Sequence, residues 1–124
     1  MYAELDRTVI AQLVHEFYDD VRDDPELQLI FEAAIGDDWE PHLVRMVEFW
    51  STVMLATHEF RGNVFGTHME LDGVVPDHFQ RWLALFETTA RRLFVPALAD
   101  EFLLVARRIA ASLQYGFFGR VEVH

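Results

Sequence analysis

The chain reads as an all-α protein, and three observations say so. Apolar residues recur at three- and four-residue steps in four long stretches. No stretch alternates apolar and polar residues as a half-buried strand requires. Prolines and glycines fall between the long stretches or in their first turns, where a helix tolerates or ends on them.

The first helix is expected from about residue 7, where Ile10, Leu13, Val14, Phe17 and Val21 keep helical spacing. It ends near Asp23-Asp24-Pro25, because proline disfavours helical geometry in the residue before it. The next segment holds Leu29, Ile30, Phe31 and Ile35 before Gly36 but no sustained period, and reads as a short turn or two. A second helix starts near Asp37 or Asp38, either of which can cap it, and Pro41 sits in its first turn. Leu43, Met46, Val47, Trp50, Val53 and Met54 line one of its faces.

Residues 58 to 77 break that rhythm. Gly62, Gly66, Gly73 and Pro76 leave room for at most a short helix around Phe65 to Leu71, and a long irregular segment in a compact domain is often functional. From Asp77 the positions Phe79, Trp82, Leu83, Phe86, Ala90 and Leu93 give a third helix. A fourth follows Pro96 through Leu98, Phe102, Val105, Ala106, Ile109 and Leu113 and stops near Gly116. The expected architecture is therefore four principal helices with one irregular segment between the second and third, in a single domain spanning all 124 residues.

Composition narrows the function classes. Eleven Phe and three Trp in a chain that is 52% hydrophobic predict a core rich in rings. Such a core is first a packing feature and only second a sign of a bound planar ligand. A net charge of −11, with no stripe of Lys or Arg, excludes phosphate backbones, so no nucleic acid partner is expected. Zero Cys removes disulfides, thiolate nucleophiles, iron–sulfur clusters and Cys-type zinc sites together. The N-terminal residues carry no basic region followed by an apolar run, and nothing approaches the roughly 20 apolar residues of a membrane span. No membrane partner is expected, and the expected location is the cytoplasm.

Chemistry must then come from His, Tyr, carboxylates or a cofactor. None of the six His shows the His-Glu-x-x-His spacing of a zinc enzyme. His15 lies one turn from Asp19 in a solvated pair, His58 lies at a helix end and His124 is terminal. His42 leads onto the apolar face that continues through Met46 and Trp50, and either looks into the core or sits half exposed at its boundary. Tyr18, four residues after Val14, turns its hydroxyl inward or leaves it in water. His68 lies in the irregular segment, where the backbone can leave a helix axis to aim a side chain. One imidazole in an apolar surround is what a haem axial ligand needs, although spacing alone does not establish it.

The order of residues adds more than any one of them. Phe17-Tyr18, Ile30-Phe31, Trp39 with His42, Phe49-Trp50, Gly62, His68-Met69-Glu70-Leu71 and the run from His78 to Phe86 follow one another along the chain. In this the sequence resembles the group III truncated haemoglobins, from roughly Ile10 to Leu113. The resemblance implies a shortened globin fold, a two-over-two helical sandwich around haem b, with the proximal segment largely irregular. It makes His68 the proximal iron ligand and places Tyr18, His42 and Trp82 on the distal side. It puts Phe31 beside the haem and Met46 and Trp50 on the distal wall. Arg45 is then a partner for a haem propionate, or simply a surface Arg. Trp82 also reads as an ordinary core anchor of its helix, and His42 as a gate that swings to solvent.

The implied function is binding of dioxygen, nitric oxide, carbon monoxide or peroxide at iron. A bound dioxygen carries partial negative charge, and a Tyr hydroxyl and an indole N–H can both donate to it in a dry pocket. Reversible binding, oxygen transport, peroxidase-like turnover and nitric oxide dioxygenation all stay open. The expected partners are a small gaseous ligand and a reductase, with the chain a monomer or weak homodimer. Two other readings compete: a haem-free helical interaction module that docks a partner through its aromatic face, and a cofactor-free acid/base enzyme using His42 or His68 with Glu70 or Asp72.

Overall fold

The computed structural model describes residues 1–56 and 75–118, and they form five helices. Helix α1 spans Arg7–Asp23, where the Asp6 carboxylate accepts from the Val9 N–H at 2.8 Å and so caps the first turn. Val9, Ile10, Leu13, Val14, Phe17, Tyr18 and Val21 make a continuous buried stripe along it. Asp24 then takes an extended backbone, as a residue before proline should.

The segment expected to be a turn or two is instead a helix, α2, spanning Leu27–Ile35. Its sequence signal is weak because only Leu27 and Phe31, one turn apart, are buried, while Leu29 is 71% exposed. What starts it is Asp24, whose Oδ1 accepts from the N–H groups of both Glu26 and Leu27 at 3.0 Å. The same carboxylate takes a forked pair of hydrogen bonds from Arg81, at 2.9 and 3.3 Å, tying the start of α2 to a distant helix. Gly36 ends α2 at φ +60° and ψ −117°, a conformation that glycine adopts without side-chain strain.

Helix α3 spans Trp39–Leu55 and buries Trp39, Leu43, Val47, Trp50 and Ser51. Asp38 stands at its N-cap position but makes no side-chain cap. Met46 and Met54 pack against the core as expected, whereas Val53 is 43% exposed, because the buried face runs through Trp50 and Ser51 and turns away from it. Ala56 closes the helix in the left-handed region, at φ 57° and ψ 40°.

Helix α4 spans Pro76–Leu93 with Pro76 at its first position, and the Val75 N–H donates to His78 Nδ1 at 3.1 Å. Helix α5 spans Pro96–Phe118. It runs through Gly116 rather than stopping there: one glycine costs a helix only about 1 kcal/mol, which the surrounding turns can carry. Tyr2 bridges to the α4–α5 link, donating its N–H to the Leu93 carbonyl at 2.7 Å and accepting from the Val95 N–H at 2.9 Å. Among the described residues no strand accompanies that isolated bridge.

Helix α1 packs against α2, α3 and α4, and α4 packs against α5 and also meets α2. The core between the layers is a set of rings. Trp50 stacks on Phe86 at 5.2 Å and meets Phe102 at 5.5 Å, and Phe94 stacks on Phe102 at 4.9 Å. Fully buried Ala90, Ala99 and Ala106 add small side chains on α4 and α5 to the same core.

Candidate functional site

The rings of α1, α2 and α3 converge around Tyr18. Helical spacing on α1 puts Phe17 and Tyr18 on its buried stripe, and Tyr18 is only 5% exposed. Its ring lies edge-on to His42 at 5.0 Å and to Phe17 at 4.9 Å, with Trp39 at 6.0 Å and Phe31 at 6.1 Å. Trp39 in turn touches His42 at 5.8 Å and stacks on Phe31 at 6.5 Å. Tyr18 therefore points inward, and His42 is a partly buried ring whose Nε2 is shut off from solvent.

Burial pushes the Tyr18 hydroxyl well above the ordinary tyrosine range, because a phenolate would be stranded among apolar rings. Tyr18 thus keeps its proton and remains a hydrogen-bond donor. Trp39 is 6% exposed, and its Nε1–H is buried with no hydrogen-bond partner among the described residues. The Arg22 guanidinium covers the outer side of that indole, 4.5 Å from the ring centroid, and itself lies 3.4 Å from the Glu32 carboxylate. A polar surface hollow lined by Asp19, Arg22, Asp23, Gln28 and Glu32 shares this arginine.

The remaining expected site residues are distributed as follows. Trp82 is half-buried, edge-on to Phe17 at 5.5 Å and stacked on Phe86 at 5.8 Å. Phe17, which touches both Tyr18 and Trp82, links the two. Phe31 is buried inside the cluster, Met46 is partly buried and Trp50 lies deeper, among the core rings. Arg45 is exposed on α3, and His15 and Asp19 are both exposed on α1. His68, His58, Glu70 and Asp72 lie outside the described residues. Among the described residues no group of three His, Asp or Glu could hold a metal ion.

Two contributions escaped the reading of the sequence. Trp39 stood there only as a mark of resemblance, yet it sits three residues before His42 and hence on the same helix face, a signal that could have placed it in the site. The Asp24–Arg81 pair that seats α2, and with it Phe31, had no local signal beyond an Asp before a proline.

No family model matches the chain. A group 3 truncated haemoglobin of Campylobacter jejuni is 28% identical over 116 residues, covering 91% of this chain and 91% of that protein. The crystal structure of a group III truncated haemoglobin from Campylobacter jejuni superposes with a TM-score of 0.90 at 28% identity, covering 94% of each chain. The fold is that of a truncated globin. Within that class the chain is similar to the group III truncated haemoglobins, as the order of its residues suggested.

The globin family implies a haem cofactor, and the residues here fit one. A flat macrocycle needs apolar rings beside it, and Phe31, Phe17 and Trp82 supply ring surface near Tyr18. A ligand on it needs donors in a dry place, and Tyr18 and Trp39 bring a neutral hydroxyl and an indole N–H that has no acceptor among the described residues.

Proposed function

We propose that this protein is a b-type haem globin that binds a small diatomic ligand, with His68 as its iron ligand and Tyr18, His42 and Trp82 facing the ligand. The observation that supports this reading is the convergence of Tyr18, Trp39 and His42 into one buried polar-ring cluster inside a truncated-globin fold. Haem, when bound, supplies ligand coordination and redox change at iron.

The chain's own residues do the rest. Tyr18 donates its hydroxyl toward partial negative charge on the ligand, and its burial keeps water from competing for that hydrogen bond. The Trp82 indole offers a second donor from α4. Phe31, Met46 and Trp50 give an apolar wall that orients the macrocycle, and Arg45, exposed on α3, pairs with a propionate at the rim. His42 stands where a ring can open or close the pocket. A reductase would return the iron to its ferrous state, and the cytoplasm is the proposed location. Among the described residues no helix is long and apolar enough to cross a membrane. Oxygen handling and nitric oxide or peroxide chemistry are the reactions such a pocket suits.

Absorption spectroscopy of the haem-reconstituted protein, ferric, reduced and then exposed to carbon monoxide, tests the reading on the parent and on His68→Ala. The expected result is one haem per chain, a Soret band that moves on reduction and on gas binding, and loss or disturbance of that band in the variant. Failure of the parent to take up stoichiometric haem would sink the proposal and favour the haem-free interaction module.

A further inference from the structure

The buried Trp39 N–H has no hydrogen-bond partner among the described residues. Its Nε1 is closed off from solvent, so folding strips water from a donor to which none of the described residues returns an acceptor. A Phe at this position would keep the stack on Phe31 and the edge contact with Tyr18 without that loss. The indole is also held in place. Phe31 covers one side at 6.5 Å, and the Arg22 guanidinium, itself near Glu32, sits 4.5 Å from the ring centroid. A cation at the ring face draws electron density outward and sharpens the N–H as a donor. The rings beside it, Tyr18 and His42, are two of the three residues assigned above to the ligand side of the pocket.

We infer that Trp39 is a further specificity-determining residue of the ligand pocket: its indole N–H donates a hydrogen bond to a small ligand that carries partial negative charge, beside Tyr18. This inference rests on the haem-globin reading. It extends the donor set from α1 and α4 to α3, so that the ligand is held from three helices and released more slowly than two donors would allow. An acceptor on the ligand would satisfy the buried N–H that no described residue satisfies.

The test uses the haem-loaded protein, with carbon monoxide and dioxygen as probes. Parent, Trp39→Phe, Trp39→Leu and Tyr18→Phe are compared by the infrared C–O stretch of the carbon monoxide complex, by dioxygen release rate and by haem dissociation rate. Both donor-free Trp39 variants are expected to move the C–O stretch to higher frequency, in the direction that Tyr18→Phe moves it. They should also speed dioxygen release about 3- to 10-fold, the worth of one neutral hydrogen bond. The haem-free Trp39→Phe protein should melt no lower than the parent. An unchanged stretch and release rate in variants that hold haem normally would overturn the Trp39 inference and leave the globin reading standing. Faster haem loss with an unchanged stretch would overturn it too, by assigning the N–H to a haem carboxylate. Absence of haem uptake by the parent itself would overturn both.

Discussion

Replacing Asp24 by Ala should loosen the one helix that local sequence does not secure. The variant strips acceptors from the N–H groups of Glu26 and Leu27, both at 3.0 Å in the parent, and Leu27 is a buried residue whose N–H has little access to water. Loss of a side chain that caps a helix costs about 1–2 kcal/mol. For a chain of this length that is about 4–8 °C in melting temperature.

Asp24→Asn, which keeps an oxygen for one N–H but loses the charge that Arg81 grips, should fall between. The pH dependence has a definite sign. Burial works against the Asp24 charge, but the Leu27 N–H, the Arg81 guanidinium and the Glu26 N–H outweigh it, so its carboxyl is held below the usual range. A carboxylate with a lowered folded-state value adds stability above its unfolded value and loses it as pH falls through the folded one. The gap between parent and Asp24→Asn should therefore be full at neutral pH and close below about pH 4. Because α2 carries Phe31 into the ring cluster, the Ala variant should also release haem faster. Thermal melts followed by circular dichroism across that pH range check the stability, and the fall of haem absorbance in the presence of a haem acceptor checks the release. Asp24→Ala melting within about 1 °C of the parent at neutral pH would refute the claim that this carboxylate seats α2.

Ala56→Gly, at the left-handed position that closes α3, should raise stability by about 0.5–1 kcal/mol, read from denaturant midpoints, since glycine adopts that conformation without strain. Gly36→Ala should lower it by about 1–3 kcal/mol through backbone strain alone, because a Cβ there would meet nothing within 4 Å; an unaltered midpoint would contradict the assigned φ of +60°. Tyr18→Phe keeps the ring contacts and removes the donor, so the protein should fold normally while ligand release measured by stopped flow accelerates about 3- to 10-fold.

Four of the five helices among the described residues were legible in the sequence because their evidence is local. A stripe such as Ile10, Leu13, Val14, Phe17 and Val21 declares its own period, and Pro25, Pro76 and Pro96 mark helix boundaries without reference to the rest of the chain. The class of protein was legible as well, through the order of its aromatic and His residues, and the fold comparison agrees. The site was legible one residue at a time: Tyr18 and His42 were marked, but whether each looked inward stayed open. Only the tertiary structure decided that, by bringing rings from α1, α2 and α3 within about 6 Å of one another. It alone revealed α2, whose start depends on a carboxylate gripped by an arginine 57 residues further on, and it alone exposed Trp39 as a buried donor without an acceptor among the described residues. The physical reason is common to these cases. Periodicity tells a residue which face of its own helix it occupies, whereas burial, partners and the lack of them are set by where the other helices pack.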